Sequence, residues 1–425
     1  MWKKLLTPTL IITLATLFAL TWYCSIKAEE YFSLWVERSN HYAPAISTTD
    51  LVSYDRQLFT AEAITTSDIK DLGRYDFHHL IRHYVWGVSI ITTPAAATDS
   101  QALLAGLRIV TDVGPTGAAR SRLSMPQLTV ENADGPTLTI DRIAAEGRIN
   151  ATATEGSWDL TLDQLQVVRD RHNRILASGI QSSAEMENLD SFPLGRSRTR
   201  INSITLEKAD GRPIIVEGLN LLSKSLADEP RHYLTRSDLS FANLKADNNT
   251  FQDGRLVLEL RGIDTQLIDV FVEVTNNLRS RVNTDTVTGE EMTDLFILPM
   301  SAALLESGLT LSLEDLSLAT TGGNLHGVGK ATLAAGPADT NLDGLLELIR
   351  ISLRADFDIH ILARINQLFS GNVDNLTVKE EELRMIFGGL TQLGFLSRLE
   401  GDRFRLLVSY EDEEIKLNGQ PFRLF

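Results

Sequence analysis

A single cysteine, Cys24, occurs in the whole 425-residue chain. No intramolecular disulfide can therefore staple the fold, and the body has neither a cysteine zinc site nor thiol chemistry available to it. Long lysine or arginine runs are missing as well. Acidic side chains outnumber basic ones 56 to 40, for a formal net charge of −16. That mean field repels nucleic acid and anionic headgroups, so nucleic acid is not an expected partner. The Gly-x-Ser-x-Gly elbow of serine hydrolases is also absent. What the chain does have is apolar content: 43% of its residues are hydrophobic, enough to build one large or two ordinary domains.

Residues 5–26, "LLTPTLIITLATLFALTWYCSI", carry no charge and would rise about 33 Å as a helix, against a hydrocarbon core of roughly 30 Å. Lys3 and Lys4 precede this stretch, and positive charge stays on the cytoplasmic side, which puts the larger C-terminal part across the membrane. A cleaved signal peptide competes with an uncleaved anchor. The anchor is favoured because the apolar stretch is long, no small-x-small site closes it, and Trp22 and Tyr23 suit an interfacial aromatic belt. Residues 1–4 then form a cytoplasmic tip. Residues 27–43, with Tyr31, Phe32, Leu34, Trp35 and Val36 among charges, continue as a helical stalk or lid.

Beyond Leu51 the rhythm becomes alternating: Leu128-Thr129-Val130, Leu138-Thr139-Ile140, Leu160-Thr161-Leu162, Ile204-Thr205-Leu206 and Leu256-Val257-Leu258. Period two means strands with one apolar face, and Asp-Gly pairs at 134–135, 210–211 and 253–254 punctuate them as hairpins. Residues 128–143 and 204–219 share strand, Ala-Asp-Gly turn and strand at an offset of 76 residues, with 311–329 a looser third copy. Helices are expected over 265–281, where Leu267, Ile268, Phe271, Val274 and Leu278 share a face. More follow a Thr288–Glu291 capping box, with Pro299 a candidate break, and over 378–396. The fold class is α+β and β-dominated: an elongated, curved antiparallel sheet with a few packed helices, divided into β-rich portions at 44–260 and 261–425.

Three stretches invite a chemical reading. "TGGNLHGVGKAT" (321–332) resembles a phosphate loop, but Asn324 and Ala331 stand where a Walker A loop needs glycine and a hydroxyl residue. Alternation from Leu325 to Leu333 makes it strand-turn-strand, with a bulge upstream at Glu314-Asp315. "FHHLIRHY" (77–84) would offer His79 and His83 to one metal if helical, yet Leu80 replaces the zincin glutamate. Structural histidines are the better reading. "SDIK" (67–70) has Ser-x-x-Lys spacing without its companion motifs and reads as a strand exit. No catalytic, metal or cofactor residue is assigned, and no cofactor is expected.

At "LVSYDRQLFTAEA" (51–63) the chain resembles the YdgA/YihF-like bacterial family, whose members carry a Tyr-x-Arg-Gly-x-Phe-x-Ser strand soon after a single N-terminal anchor. Tyr54, Arg56 and Phe59 match, while Gln57 and Thr60 depart. His83 falls where the family tends to write His-Gly-Pro, a signature largely lost here. Asn418, Gly419 and Pro421 in "IKLNGQPF" resemble its closing Asn-Gly-x-Pro turn. The resemblance implies an inner-membrane-anchored protein with a periplasmic β-rich body, loosely connected with envelope physiology and surface motility. It assigns no catalytic activity. Together these readings favour an anchored scaffold or binding module, with lipid or an envelope protein as partner and an acyl chain on the apolar sheet face. An envelope hydrolase with an unrecognised active site is the alternative.

Overall fold

A computed structural model describes residues 2–42, 47–69, 73–95, 103–131, 135–170, 173–188, 194–207, 213–229, 231–246, 249–270, 298–337, 342–370, 376–411 and 413–422. The chain forms two compact units, Met1–Arg169 with Gly179–Asp190, and Asp170–Ser178 with Ser191–Phe425. Residues 260 and 261, where the sequence suggests a division, lie inside one continuous strand, Asn249–Asp264.

The first unit begins with helix α1 (Trp2–Tyr42). Eight strands follow: β1 (Ser47–Arg56), β2 (Thr60–Ile69), β3 (Gly73–Tyr84), β4 (Gly87–Pro94), β5 (Arg108–Val113), β6 (Ala119–Val130), β7 (Thr137–Ile149) and β8 (Glu155–Val168). Each pairs antiparallel with the next. Strand β9 (Arg174–Glu187) has residues in both units.

In the second unit β10 (Leu194–Glu207), β11 (Ile214–Glu229), β12 (His232–Ala246), β13 (Asn249–Asp264), helix α2 (Leu298–Ser307), β14 (Leu309–Thr320) and β15 (Gly323–Leu333) come first. Helix α3 (Leu342–Leu348), β16 (Ile349–Asp358), α4 (Ile359–Ser370) and α5 (Leu376–Gln392) follow, and then β17 (Ser397–Arg398), β18 (Arg403–Glu411), β19 (Glu414–Leu417) and β20 (Gln420–Pro421). Strands β10 to β16 pair in chain order, and β18 pairs with β16 after the α4–α5 excursion. The β-dominated antiparallel fold with few helices expected from period-two alternation is therefore present.

The hairpins at 128–143 and 204–219 are β6–β7 and β10–β11. Both kink at one place. Arg142 (φ 45°) and Gly218 (φ 67°) are left-handed in mid-strand, and each drops out of a ladder that otherwise keeps its register. They stand 76 residues apart, the offset between the two sequence copies. Gly179 and Asp253 take the same hand in β9 and β13. The bulge expected at Glu314-Asp315 is present as a register shift between Leu313 and Leu316.

His79 and His83 lie on strand β3, so the helix on which a shared metal depended does not form there. Alternation sends Tyr75, His79, Ile81 and His83 to one face, and all are buried. Pro299 lies in helix α2, whose described span is Leu298–Ser307, and the residues before it lie outside the described ones. Helices α3 and α4 were not foreseen. A helix does begin at 265–270, with Leu267 buried. Its expected continuation through Phe271, Val274 and Leu278, and the Thr288–Glu291 box, lie outside the described residues.

Helix α1 packs on the sheet of its own unit. Phe32 and Val36, one helical turn apart, are buried against Ala61 and Ala63 of β2 and Ile81 of β3, with Leu51, Tyr54, Val88 and Ile90 around them. The alanines let the helix approach closely. Asn40 fastens its far end: the side-chain amide donates to the Thr49 carbonyl at 2.7 Å and accepts from the Thr49 amide at 2.6 Å. Among the described residues no helix is long and apolar enough to cross a membrane; in α1 the side chains of residues 2–15, Lys3 and Lys4 included, lie outside the description. Truncating the 4%-exposed Phe32 to alanine is expected to cost about 3–5 kcal/mol, checked as a lowered denaturant midpoint of the full chain.

Candidate functional site

In the second unit, alternation splits the sheet into a charged face and an apolar face. The charged face runs through Asp238 on β12, Arg255 and Glu259 on β13, Asp315 on β14, Arg354 and Asp356 on β16 and Arg405 on β18. Cross-strand ion pairs link it: Arg255 with Asp238 at 2.6 Å, and Arg405 with Asp356 at 2.7 Å. Arg405 first, then Arg354, hold the Asp356 carboxyl well below the usual carboxylate range, against the opposing effect of burial.

Among the described residues the apolar face is only partly covered, and two cavities lie on it. The larger, about 470 Å³, lies between β15–β18 and the helices α4 and α5, lined by Leu325, Phe357, Leu362, Phe387, Leu390 and Leu406 among others. The second, about 280 Å³, is lined by Leu239, Phe241, Phe251, Leu256, Leu316 and Leu325, with Ile365 of α4. Leu325 lines both. Their sizes are near the lower part of the roughly 300–1,000 Å³ range of small-ligand sites. Phe357, Phe387 and Phe404 form an aromatic wedge with centroids 5.5–6.3 Å apart. The lining of both cavities is largely apolar, with Arg255 and Ser317 at the smaller one.

The glycine-rich stretch at 321–332 explains how α4 reaches this place. It is the β14–β15 turn and strand β15. A Cβ on Gly322 would lie 2.3 Å from the His360 ring, and one on Gly323 would lie 2.6 Å from Asp358. The glycines thus make room for the entry of α4, and the Asn324 amide donates to the Asp358 carboxylate at 2.7 Å. Arg364 Nε donates to His360 Nε2 at 2.9 Å, which leaves the Nδ1 hydrogen of that ring for Glu380 of α5, 2.5 Å away. This chain of bonds latches α4 to α5 beside the larger cavity.

The residues singled out in the sequence fall in two places. In the first unit Tyr54 packs on Phe32 with ring centroids 5.9 Å apart, and burial pushes its phenol up to about 12. Arg56 donates to Glu29 at 3.0 Å and lies over the Trp22 ring, 5.6 Å from its centroid. Phe59 is exposed in the β1–β2 turn, and its carbonyl accepts from the His83 amide at 2.8 Å. Tyr23 is exposed. The motif around Tyr54, Arg56 and Phe59 therefore docks α1. The Ser67 hydroxyl meets Thr49 Oγ1 at 2.8 Å, and Lys70 lies outside the described residues. Asn418, Gly419 and Pro421 belong to the second unit. Asn418 (φ 46°) and Gly419 (φ 82°) form the two-residue turn between β19 and β20, where two left-handed residues are needed. The Asn418 amide also donates to the Phe395 carbonyl at 2.5 Å.

His79 is a structural histidine, and its partners come from neighbouring strands and from α1. Its Nε2 lies 2.8 Å from Thr65 Oγ1 and its Nδ1 lies 2.8 Å from Thr92 Oγ1, and Phe32 meets its ring edge-on at 5.0 Å. Burial lowers its pKa to about 4. Among the described residues no group of three or more His, Cys, Asp or Glu side chains is placed to hold a metal ion.

A one-sided antiparallel sheet with an apolar cleft under two helices defines a β-rich protein with a hydrophobic site. The family is shown by the whole chain: residues 1–425 match the model described as bacterial protein of unknown function (DUF945), and the chain belongs to that family. No curated protein matches it, and no solved structure does.

Two measurements test this geometry. Gly322→Ala must displace the His360 ring and is expected to destabilise the second unit by about 1–3 kcal/mol, read as a lower midpoint for unfolding. His79 is neutral in the fold, whereas the unfolded chain takes up a proton near pH 6.5. Its contribution is therefore complete above pH 6.5 and lost as pH falls toward about 4, a change of roughly 3 kcal/mol. Denaturant midpoints across that window should fall, and the ring resonance of His79 should titrate near the lower end.

Proposed function

We propose that this chain is a membrane-anchored bacterial envelope protein that holds a hydrophobic, acyl-type ligand on the apolar sheet face of its second unit. The observation that carries this reading is the pair of apolar cavities meeting at Leu325, covered among the described residues by α4 and α5. The polar side chains His360, Arg364 and Glu380 on α4 and α5 are engaged with one another. Binding is thus better supported than chemistry on the ligand. The uncharged stretch at 5–26, with Lys3 and Lys4 before it and Trp22 and Tyr23 at its end, supports a single span of the inner membrane with the body in the periplasm. The finer likeness to YdgA/YihF-like proteins, carried by Tyr54, Arg56, Phe59 and the Asn418–Gly419 turn, agrees with that setting.

The test is lipid analysis of the full chain extracted from bacterial membranes in mild detergent. Native mass spectrometry is expected to find bound lipid. Leu239→Glu introduces a charge at a half-exposed position on the rim of the smaller cavity, and should remove most of that lipid while circular dichroism and melting temperature hold. A lipid-free wild-type protein would overturn the reading, as would a Leu239→Glu variant that keeps its lipid in full.

A further inference from the structure

We infer that the tips of the β1–β2 and β3–β4 hairpins are seated in the headgroup region of the bilayer, so that the first unit rests on the membrane surface. The inference rests on the anchor in the reading above and goes beyond it. Three observations on the first unit carry it.

The tips are exposed aromatic surface. Phe59 in the first turn is 60% exposed and Trp86 in the second is 69% exposed. Tyr84 stacks on Trp86 with the rings 5.8 Å apart and 3° from parallel. An outward Phe–Tyr–Trp cluster is unfavourable in water and is the composition that the bilayer interface selects, since the apolar ring bodies enter the acyl boundary while the polar edges stay wet.

The two tips are fastened together and to α1 at one level of that helix. The His83 amide donates to the Phe59 carbonyl at 2.8 Å. Ser25 Oγ donates to the Gln57 carbonyl at 3.3 Å, and Arg56 covers the Trp22 ring. Residues 22–25 close the uncharged segment 5–26. The tips are therefore continuous with the exposed flank of α1 at Phe18, Trp22 and Tyr23. A helix that enters the bilayer through residue 20 carries both tips down to its surface.

Charge permits the contact. The whole chain is acidic, yet residues 56–61 and 77–94 hold no aspartate or glutamate, and they include Arg56 and Arg82. The tip segments thus carry no acidic side chain of their own, and the Glu29 carboxylate beside them is paired with Arg56 at 3.0 Å.

Spin labels measure this directly. In a Cys24→Ser background, Leu20→Cys, Phe59→Cys, Trp86→Cys and Asp163→Cys are labelled one at a time. The full chain is then placed in nanodiscs of phosphatidylethanolamine and phosphatidylglycerol. Accessibility to oxygen relative to a water-soluble nickel complex reports depth. Labels at 59 and 86 are expected to show a ratio several-fold above that at 163, approaching the label at 20. If 59 and 86 match 163 while 20 reads the bilayer, the seating is overturned and the anchor stands. If all four report water, both fall.

Discussion

A strand with apolar side chains on one face only cannot leave that face in water, and everything distinctive in this protein follows from how the face is covered. Alternation puts Ala61, Ala63 and Ile81 on one side of the first unit's sheet. It puts Leu325, Phe357 and Leu406 on one side of the second's. The cover differs in kind. Over β2 and β3 lies a single long helix packed closely against small side chains. Over β15, β16 and β18 lie two shorter helices against larger residues, and space remains.

The opposite faces are held by cross-strand charges such as Arg255–Asp238 and Lys245–Glu217. Pairs of this kind on exposed surface contribute little net stability, about 0–1 kcal/mol each. Their effect is on register, because a one-residue slip would bring these charges to the apolar side. Stability must come from the covered faces, and the polar ladders fix which face is covered.

Much of this was legible in the chain. Period-two alternation located β6, β7, β10 and β11, and the phase slip at Glu314-Asp315 marked a bulge that the β14–β15 register contains. The phosphate-loop likeness at 321–332 dissolved on alternation alone. The reason for the glycines was not legible. Gly322 and Gly323 are there because His360 and Asp358, far along the chain, come against them, and a long-range steric demand leaves no local pattern. For His79 and His83 the spacing alone could not separate two geometries: four residues fit one helical face, and an even spacing also fits one strand face. The Tyr54–Arg56–Phe59 motif was visible as a likeness, while its work of docking α1 depends on Phe32, Glu29 and Trp22, which no spacing connects to it.

The partial cover of the second unit has an energetic consequence for the proposed ligand. Phe387, Leu390 and Leu383 of α5 pack on Phe357 and Phe404, and each such side chain gains about 1.5–3 kcal/mol from burial. An acyl chain reaching the floor of the larger cavity would take over part of that burial and weaken the hold of α5. The polar latch through Glu380, His360 and Arg364 then matters more than its modest strength suggests. It keeps the helix attached at one point while the apolar contacts are exchanged. A ligand can shift this equilibrium only by the difference in its affinity for the covered and opened face, so the space already present lowers the apolar contact that a ligand must replace on entry.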